Sequence, residues 1–157
     1  QSLQFPAQLQ KKVKAHQLVD VRVLVVDDAA DLRVLMRRYL ERQGALVDTA
    51  ENGEEAVAKV FLKSYDVVLM DMKMPVMDGY QATRTLRSKG YQKTIIAVTA
   101  HANTDDKQRS LEAGCDYYLS KPVDLGFMTN IIQFYIVKKD LKKASNAILP
   151  FERIHQV

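Results

Sequence analysis

The stretch DVVLMDMKMPVMDG at residues 66–79 decides the fold. Asp66–Met70 reads as a strand whose apolar run is continuous rather than alternating, which places it at the centre of a parallel sheet covered by helices on both faces. Asp71 follows at once, and Asp71–Gly79, carrying Pro75 and Gly79, reads as a loop. A central strand that delivers a carboxylate to its carboxyl end is how open α/β sheets build ligand sites.

On either side of this stretch, short β-branched runs alternate with amphipathic patterns, giving five βα units. Val21–Val26 reads as the first strand, and Leu32, Leu35, Met36, Tyr39 and Leu40 recur at helical spacing up to Gly44. Leu46–Ala50 is the second strand. The next helix opens on a capping-box pattern, Asn52 and Glu55, and should bury Ala56, Val57, Val60 and Phe61. A short helix ends near Gly90, and Thr94–Thr99 is the fourth strand. Thr104 is placed to cap a helix with few apolar positions that stops at Gly114. Tyr117–Ser120 is the fifth strand, and Asp124 is placed to cap a last helix carrying Leu125, Met128, Ile131, Ile132 and Tyr135. Residues 1–20 and 139–157 read as a linker and a C-terminal extension around a domain at 21–138. Opening on Gln1, the chain reads as a piece of a longer protein.

The chain has 157 residues, 47% of them hydrophobic, which suits one domain of ordinary size with a real core. Its net charge of +4 sits in the flanks. With residues 1–20 and 138–157 set aside, which carry eight basic and three acidic residues, 15 basic residues face 16 acidic ones, so a basic nucleic-acid face is not expected. No apolar run reaches the ~18 residues of a membrane span, and a cytoplasmic setting without membrane contact is expected, whatever anchors the parent protein. Cys115, the sole cysteine, reads as a small buried apolar group rather than a redox centre. Met70 reads as strand core, while Met72, Met74 and Met77 lie in a loop with no Cys or His to form a soft-metal site.

Polar residues cluster where four strands end: Asp27 and Asp28 after the first, Asp71 after the third, Thr99 closing the fourth and Lys121 after the fifth. Three carboxylates gathered in one crevice repel, and a hard divalent cation relieves that repulsion. Magnesium suits such a site, because it accepts one or two carboxylates, a carbonyl, waters and a phosphate oxygen. One carboxylate can then attack phosphorus, with Lys121 and Thr99 meeting the phosphoryl oxygens. Singly, each residue also has a structural use. Asp27 or Asp28 can cap the first helix, Thr99 can satisfy strand-end backbone, and Lys121 can be solvated.

VLVVDD at 23–28, VVLMDMKMPVMDG at 67–79, IIAVTA at 95–100 and YLSKP at 118–122 together resemble the receiver domains of two-component response regulators, most closely those fused to hybrid histidine kinases. The resemblance implies a flavodoxin-like sheet of order 2-1-3-4-5 with five helices. It implies Asp71 as phosphoacceptor, and Mg2+ held by Asp28 and Asp71 directly, by Asp27 through water and by the Lys73 backbone carbonyl. Thr99 and Tyr118 resemble the switch pair, Lys121 the phosphate-binding lysine and Pro122 the cis-proline that follows it. Lys73 and His101 occupy the positions tied to the lifetime of the phosphorylated state. The implied partner is a histidine kinase or a histidine phosphotransfer domain, and the implied role is a phosphorelay signalling domain rather than an enzyme on a separate substrate. Ala29 and Leu32 depart from the asparagines common in hybrid-kinase receivers.

Other phosphate chemistries fit less well. A haloacid dehalogenase-type hydrolase needs a second Asp two residues after its nucleophile, where Lys73 stands. A flavodoxin needs a hydroxyl- and glycine-rich loop after the first strand, where the acidic DDAADL stands, and the P-loop motif G-x-x-x-x-G-K-[ST] is absent. A pseudo-receiver would lack an acidic residue or the lysine, and all are present.

Overall fold

The computed structural model of the chain describes residues 17–101 and 103–154, with side chains through Asn146. Residues 1–16 of the expected linker and 155–157 of the expected extension lie outside them. The elements run β1 (Arg22–Val26), α1 (Ala30–Arg42), β2 (Leu46–Ala50), α2 (Gly53–Leu62), β3 (Val67–Asp71), α3 (Gly79–Ser88), β4 (Thr94–Thr99), α4 (Thr104–Ala113), β5 (Tyr117–Ser120) and α5 (Leu125–Ile154). All five strands pair parallel in the order β2-β1-β3-β4-β5, the sheet that the resemblance implies.

Side chains alternate across each strand, so the sheet feeds two cores. Val23, Val25, Leu69 and Ile96 point to one side, where Met36 and Leu40 of α1 and Met128, Ile131 and Ile132 of α5 cover them. Leu24, Val26, Met70 and Ile95 point to the other, against Ala56 and Val60 of α2, Tyr80 and Leu86 of α3 and Ala113 of α4. Every residue of β3 and β4 is buried, as their unbroken apolar runs require. Cys115 is buried in the second core, and burial pushes its thiol up to about 11, which keeps it inert. Among the described residues, no helix is long and apolar enough to cross a membrane.

The caps are mostly those the sequence offers. Asn52 accepts from the Glu55 N–H at the start of α2, while Glu55 reaches back to the N–H of Glu51 rather than of Asn52. Asp78 accepts from Gln81 N–H at α3, and Asp124 from Phe127 N–H at α5. Gly114 closes α4 at φ 116, a left-handed conformation that favours glycine.

Several expectations are corrected. The cap of α4 is Asn103, whose side chain accepts from Asp106 N–H, and Thr104 is the first helical residue. β3 lies one residue further along than expected, starting at Val67 instead of Asp66, so Asp71 is its last residue and is fixed by the sheet. Leu35 and Phe61 fit the helical spacing but are 53% and 51% exposed, because the buried stripes of α1 and α2 are narrower than the apolar runs. Met72 opens the loop as expected, and it is nevertheless fully buried in the second core, its N–H donating to the Val98 carbonyl at 3.1 Å. At the ends, Leu18 is packed into the first core, and α5 continues past residue 138 as one helix.

Candidate functional site

Parallel pairing brings the carboxyl ends of β1, β3, β4 and β5 to one edge, and the winding reverses between β1 and β3. Asp27 and Asp28 follow β1, Asp71 ends β3 paired to Val98, and Thr99 ends β4 paired to Ser120. Lys121 follows immediately, its N–H donating to the Thr99 carbonyl at 2.8 Å, and the Lys121–Pro122 bond after it is cis.

Oxygens of Asp27, Asp28 and Asp71 all lie within 4.8 Å of one another. Asp27 is 1% and Asp71 3% exposed, whereas Asp28 faces solvent. Lys121 Nζ stands 2.9 Å from Asp27 Oδ2 and 3.4 Å from Asp71 Oδ2, so it is no ordinary solvated lysine. Burial alone would lower the Lys121 pKa, but the hydrogen bond to Asp27 and the two carboxylate charges outweigh it and raise it. One ammonium among three carboxylates leaves negative charge in excess. Burial first, and then the Asp27 charge, push the Asp71 carboxyl up to about 6, against the pull of Lys121.

The loops around this centre are tied down. Asp27 Oδ1 accepts from Ala29 N–H at 2.8 Å, so it shapes the turn into α1, whose N-cap, Ala29, has no side-chain cap. Lys73 N–H donates to Asp71 Oδ1 at 3.3 Å, which brings the residue-73 backbone beside the carboxylates while its side chain is exposed. Thr99 Oγ1 donates to the His101 carbonyl and accepts from the His101 N–H, both at 3.2 Å. The backbone use of Thr99 is therefore real, and it holds the hydroxyl at the site edge. The His101 side chain is exposed. Tyr118 is half-buried, stacked on Tyr117 at 5.3 Å between centroids, with Lys107 Nζ of α4 4.8 Å from its ring centre. That contact joins β5 to a helix whose buried residues, Asp106, Ser110 and Ala113, are small or polar.

Two supports escaped the sequence reading. Arg33 donates to the Asp27 carbonyl at 2.7 Å and pairs with Glu51, bracing the acidic turn from one helical turn away. Gly79 lets the chain double back under Asp71: a Cβ there would stand 2.2 Å from the Asp71 carbonyl oxygen, so no side chain fits. Gly79 itself was the available signal, read only as the end of the Asp71–Gly79 loop.

The three carboxylates suit a divalent cation. With their oxygens all within 4.8 Å of one another, they are close enough to share one hard cation. Without a cation, the raised pKa of Asp71 has a cost in stability. A carboxyl with a raised folded-state value stabilises the fold below its ordinary 3.8, and that contribution is lost as pH rises through about 6. In metal-free urea titrations, Asp71→Asn should therefore be more stable than the natural chain at pH 7 by about 1–2 kcal/mol, after allowance for solvent screening. The gap should close near pH 4 and on adding magnesium. Equal midpoints at pH 7 would contradict this electrostatic account.

Residues 23–133 match the family described as Response regulator receiver domain. The chain is 43% identical over 103 residues to the transcriptional regulatory protein ResD of Bacillus subtilis, covering 66% of this chain and 42% of that protein. It is 40% identical over 116 residues to the sensor histidine kinase RcsC of Escherichia coli, covering 74% of this chain and 12% of that one. It therefore spans less than half of either relative. Among solved structures, it resembles one from the co-crystal of the Saccharomyces cerevisiae histidine phosphotransfer signalling protein Ypd1 and the receiver domain of its response regulator Ssk1. The TM-score is 0.71 and the identity 27%, over 75% of this chain and 90% of that one.

Proposed function

The chain belongs to the response regulator receiver domain family of two-component signalling, and from that premise we propose that Asp71 accepts a phosphoryl group from a phosphohistidine. The observation that carries the reading is a buried carboxylate at a strand end, pushed up to about 6, with an ammonium 3.4 Å away and two further carboxylates beside it. An Asp71 oxygen attacks phosphorus, the P–N bond to the donor imidazole breaks, and the imidazole takes up a proton, leaving an acyl phosphate. The donor is a histidine kinase or a histidine phosphotransfer domain. Asp27, Asp28, Asp71 and the Lys73 carbonyl would hold Mg2+, which offsets negative charge on the phosphoryl oxygens.

This chain's own groups do the rest. Lys121 is placed to move from the Asp27–Asp71 pair onto a phosphoryl oxygen, and the Thr99 hydroxyl onto another at the expense of its bonds to His101. Movement of Thr99 frees space behind it, and the Tyr118 ring turning inward would break its contact with Lys107 and release α4. We read residues 21–138 as the receiver, with 1–20 as a linker whose Leu18 packs into the first core and 139–157 as an extension into which α5 continues as far as Ile154. The setting is cytoplasmic, and a hybrid histidine kinase is the parent most in keeping with the RcsC match. The output is phosphotransfer or protein contact rather than direct DNA binding.

Transfer of radiolabel from a phosphorylated histidine phosphotransfer domain, followed by a chase without donor, tests this role. Label should move to the chain and then persist, because Lys73 and His101 border the approach of hydrolytic water without offering a carboxylate or amide to orient it. Lys73→Asn should speed loss severalfold, and His101→Ala should not slow it. Slower loss in His101→Ala would show the imidazole acting as general base and would overturn the shielding.

A further inference from the structure

α5 carries two apolar faces. Met128, Ile131, Ile132 and Tyr135 face the sheet, and the core they fill ends at Ile136. On the opposite side of the helix, Phe134, Val137, Leu141 and Ala144 recur at alternating spacings of three and four, and the spacing continues in the sequence at Ile148 and Phe151. That is the a/d repeat of a coiled-coil seam. Val137 is 50% and Leu141 66% exposed, and with Gln133, Phe134 and Lys138 they bound a shallow groove of about 480 Å3.

The helix itself needs this face covered. Its 30 residues span about 45 Å, and past Ile136 every residue described through Asn146 is exposed except the half-buried Lys139. A segment of this length, rich in lysine and carrying Pro150, is marginal as a lone helix in water, since packing of an apolar face supplies most helical stability.

We propose that this stripe, centred on Val137, Leu141 and Ala144, is a dimerisation seam whose occupant is the same helix of a second copy of this chain. Charge placement favours self-pairing. Lys139, Lys142 and Lys143 lie on the far side of the helix from the stripe. In a parallel, in-register pair the flanking contacts are Gln133 with Lys138 and Asp140 with Ser145, none of them a like-charge pair. A twofold pair through α5 would leave the Asp71 edge of each sheet open to its own partner.

Sedimentation equilibrium of the full chain, from low micromolar to several hundred micromolar, tests the proposal. The mass should rise from 17.8 kDa towards twice that value. Leu141→Glu and Val137→Lys alter exposed positions, so they should preserve the far-UV spectrum and melting midpoint while raising the dissociation constant by about tenfold or more. A wild-type chain that stays monomeric throughout, or dimers unaffected by both substitutions, would overturn the seam. So would a monomer that co-sediments with phosphatidylglycerol vesicles, which would make the stripe and its lysines a membrane-surface element instead.

Discussion

Lys121→Ala is expected to slow phosphorylation of Asp71 from acetyl phosphate by about 100-fold or more, the usual cost of deleting one preorganised charge at the reacting group. The ammonium sits 2.9 Å from Asp27 and 3.4 Å from Asp71, on a residue whose N–H is tied to the Thr99 carbonyl. It therefore needs little reorganisation to meet a phosphoryl oxygen. Its loss also leaves two buried carboxylates facing each other, which should destabilise the metal-free fold by about 3 kcal/mol. Rates are accordingly compared at saturating magnesium, with the far-UV spectrum as a check on folding. Lys121→Arg separates charge from position, because it keeps the charge but not the compact ammonium. A rate within about threefold of wild type in Lys121→Ala would remove Lys121 from the chemistry.

Phosphorylation is expected to vanish in excess chelator, a second effect of comparable size. Three carboxylate oxygens within 4.8 Å, two of them from buried residues, meet a single lysine. An incoming phosphoryl group adds further negative charge to a site already in deficit, and at these distances the repulsion is several kcal/mol at an effective dielectric of ~20. Asp28→Ala keeps the buried pair but removes the exposed ligand. It should raise the magnesium concentration needed for half-maximal rate and leave the saturated rate closer to wild type than Lys121→Ala does. Full phosphorylation in excess chelator would contradict the role given to the cation.

Much of this architecture was legible because the signals were redundant. The continuous runs of β3 and β4 forced central positions, Leu46–Ala50, Thr94–Thr99 and Tyr117–Ser120 appear with the expected bounds, and strand ends delivered Asp27, Asp71, Thr99 and Lys121 to one crevice. What stayed hidden depends on three-dimensional distance. Arg33 is six residues from Asp27, and only the turn into α1 aims its guanidinium at that carbonyl. The need for Gly79 follows from a backbone approach to Asp71 that no local pattern encodes. Leu35 and Phe61 match helical periodicity as well as their buried neighbours do, and only the width of the covering sheet tells them apart. Asn103 displaced Thr104 as the α4 cap because adjacent residues offered equivalent side-chain acceptors. The continuation of α5 was obscured by its lysine-rich composition, which reads as a solvated tail.

Incubation with acetyl phosphate and magnesium, followed by intact mass of the natural chain and of Asp71→Asn, tests the central claim most directly. The natural chain should gain the mass of one phosphoryl group and Asp71→Asn none. Equal phosphorylation of the two would place the chemistry on another residue and contradict the assignment of Asp71.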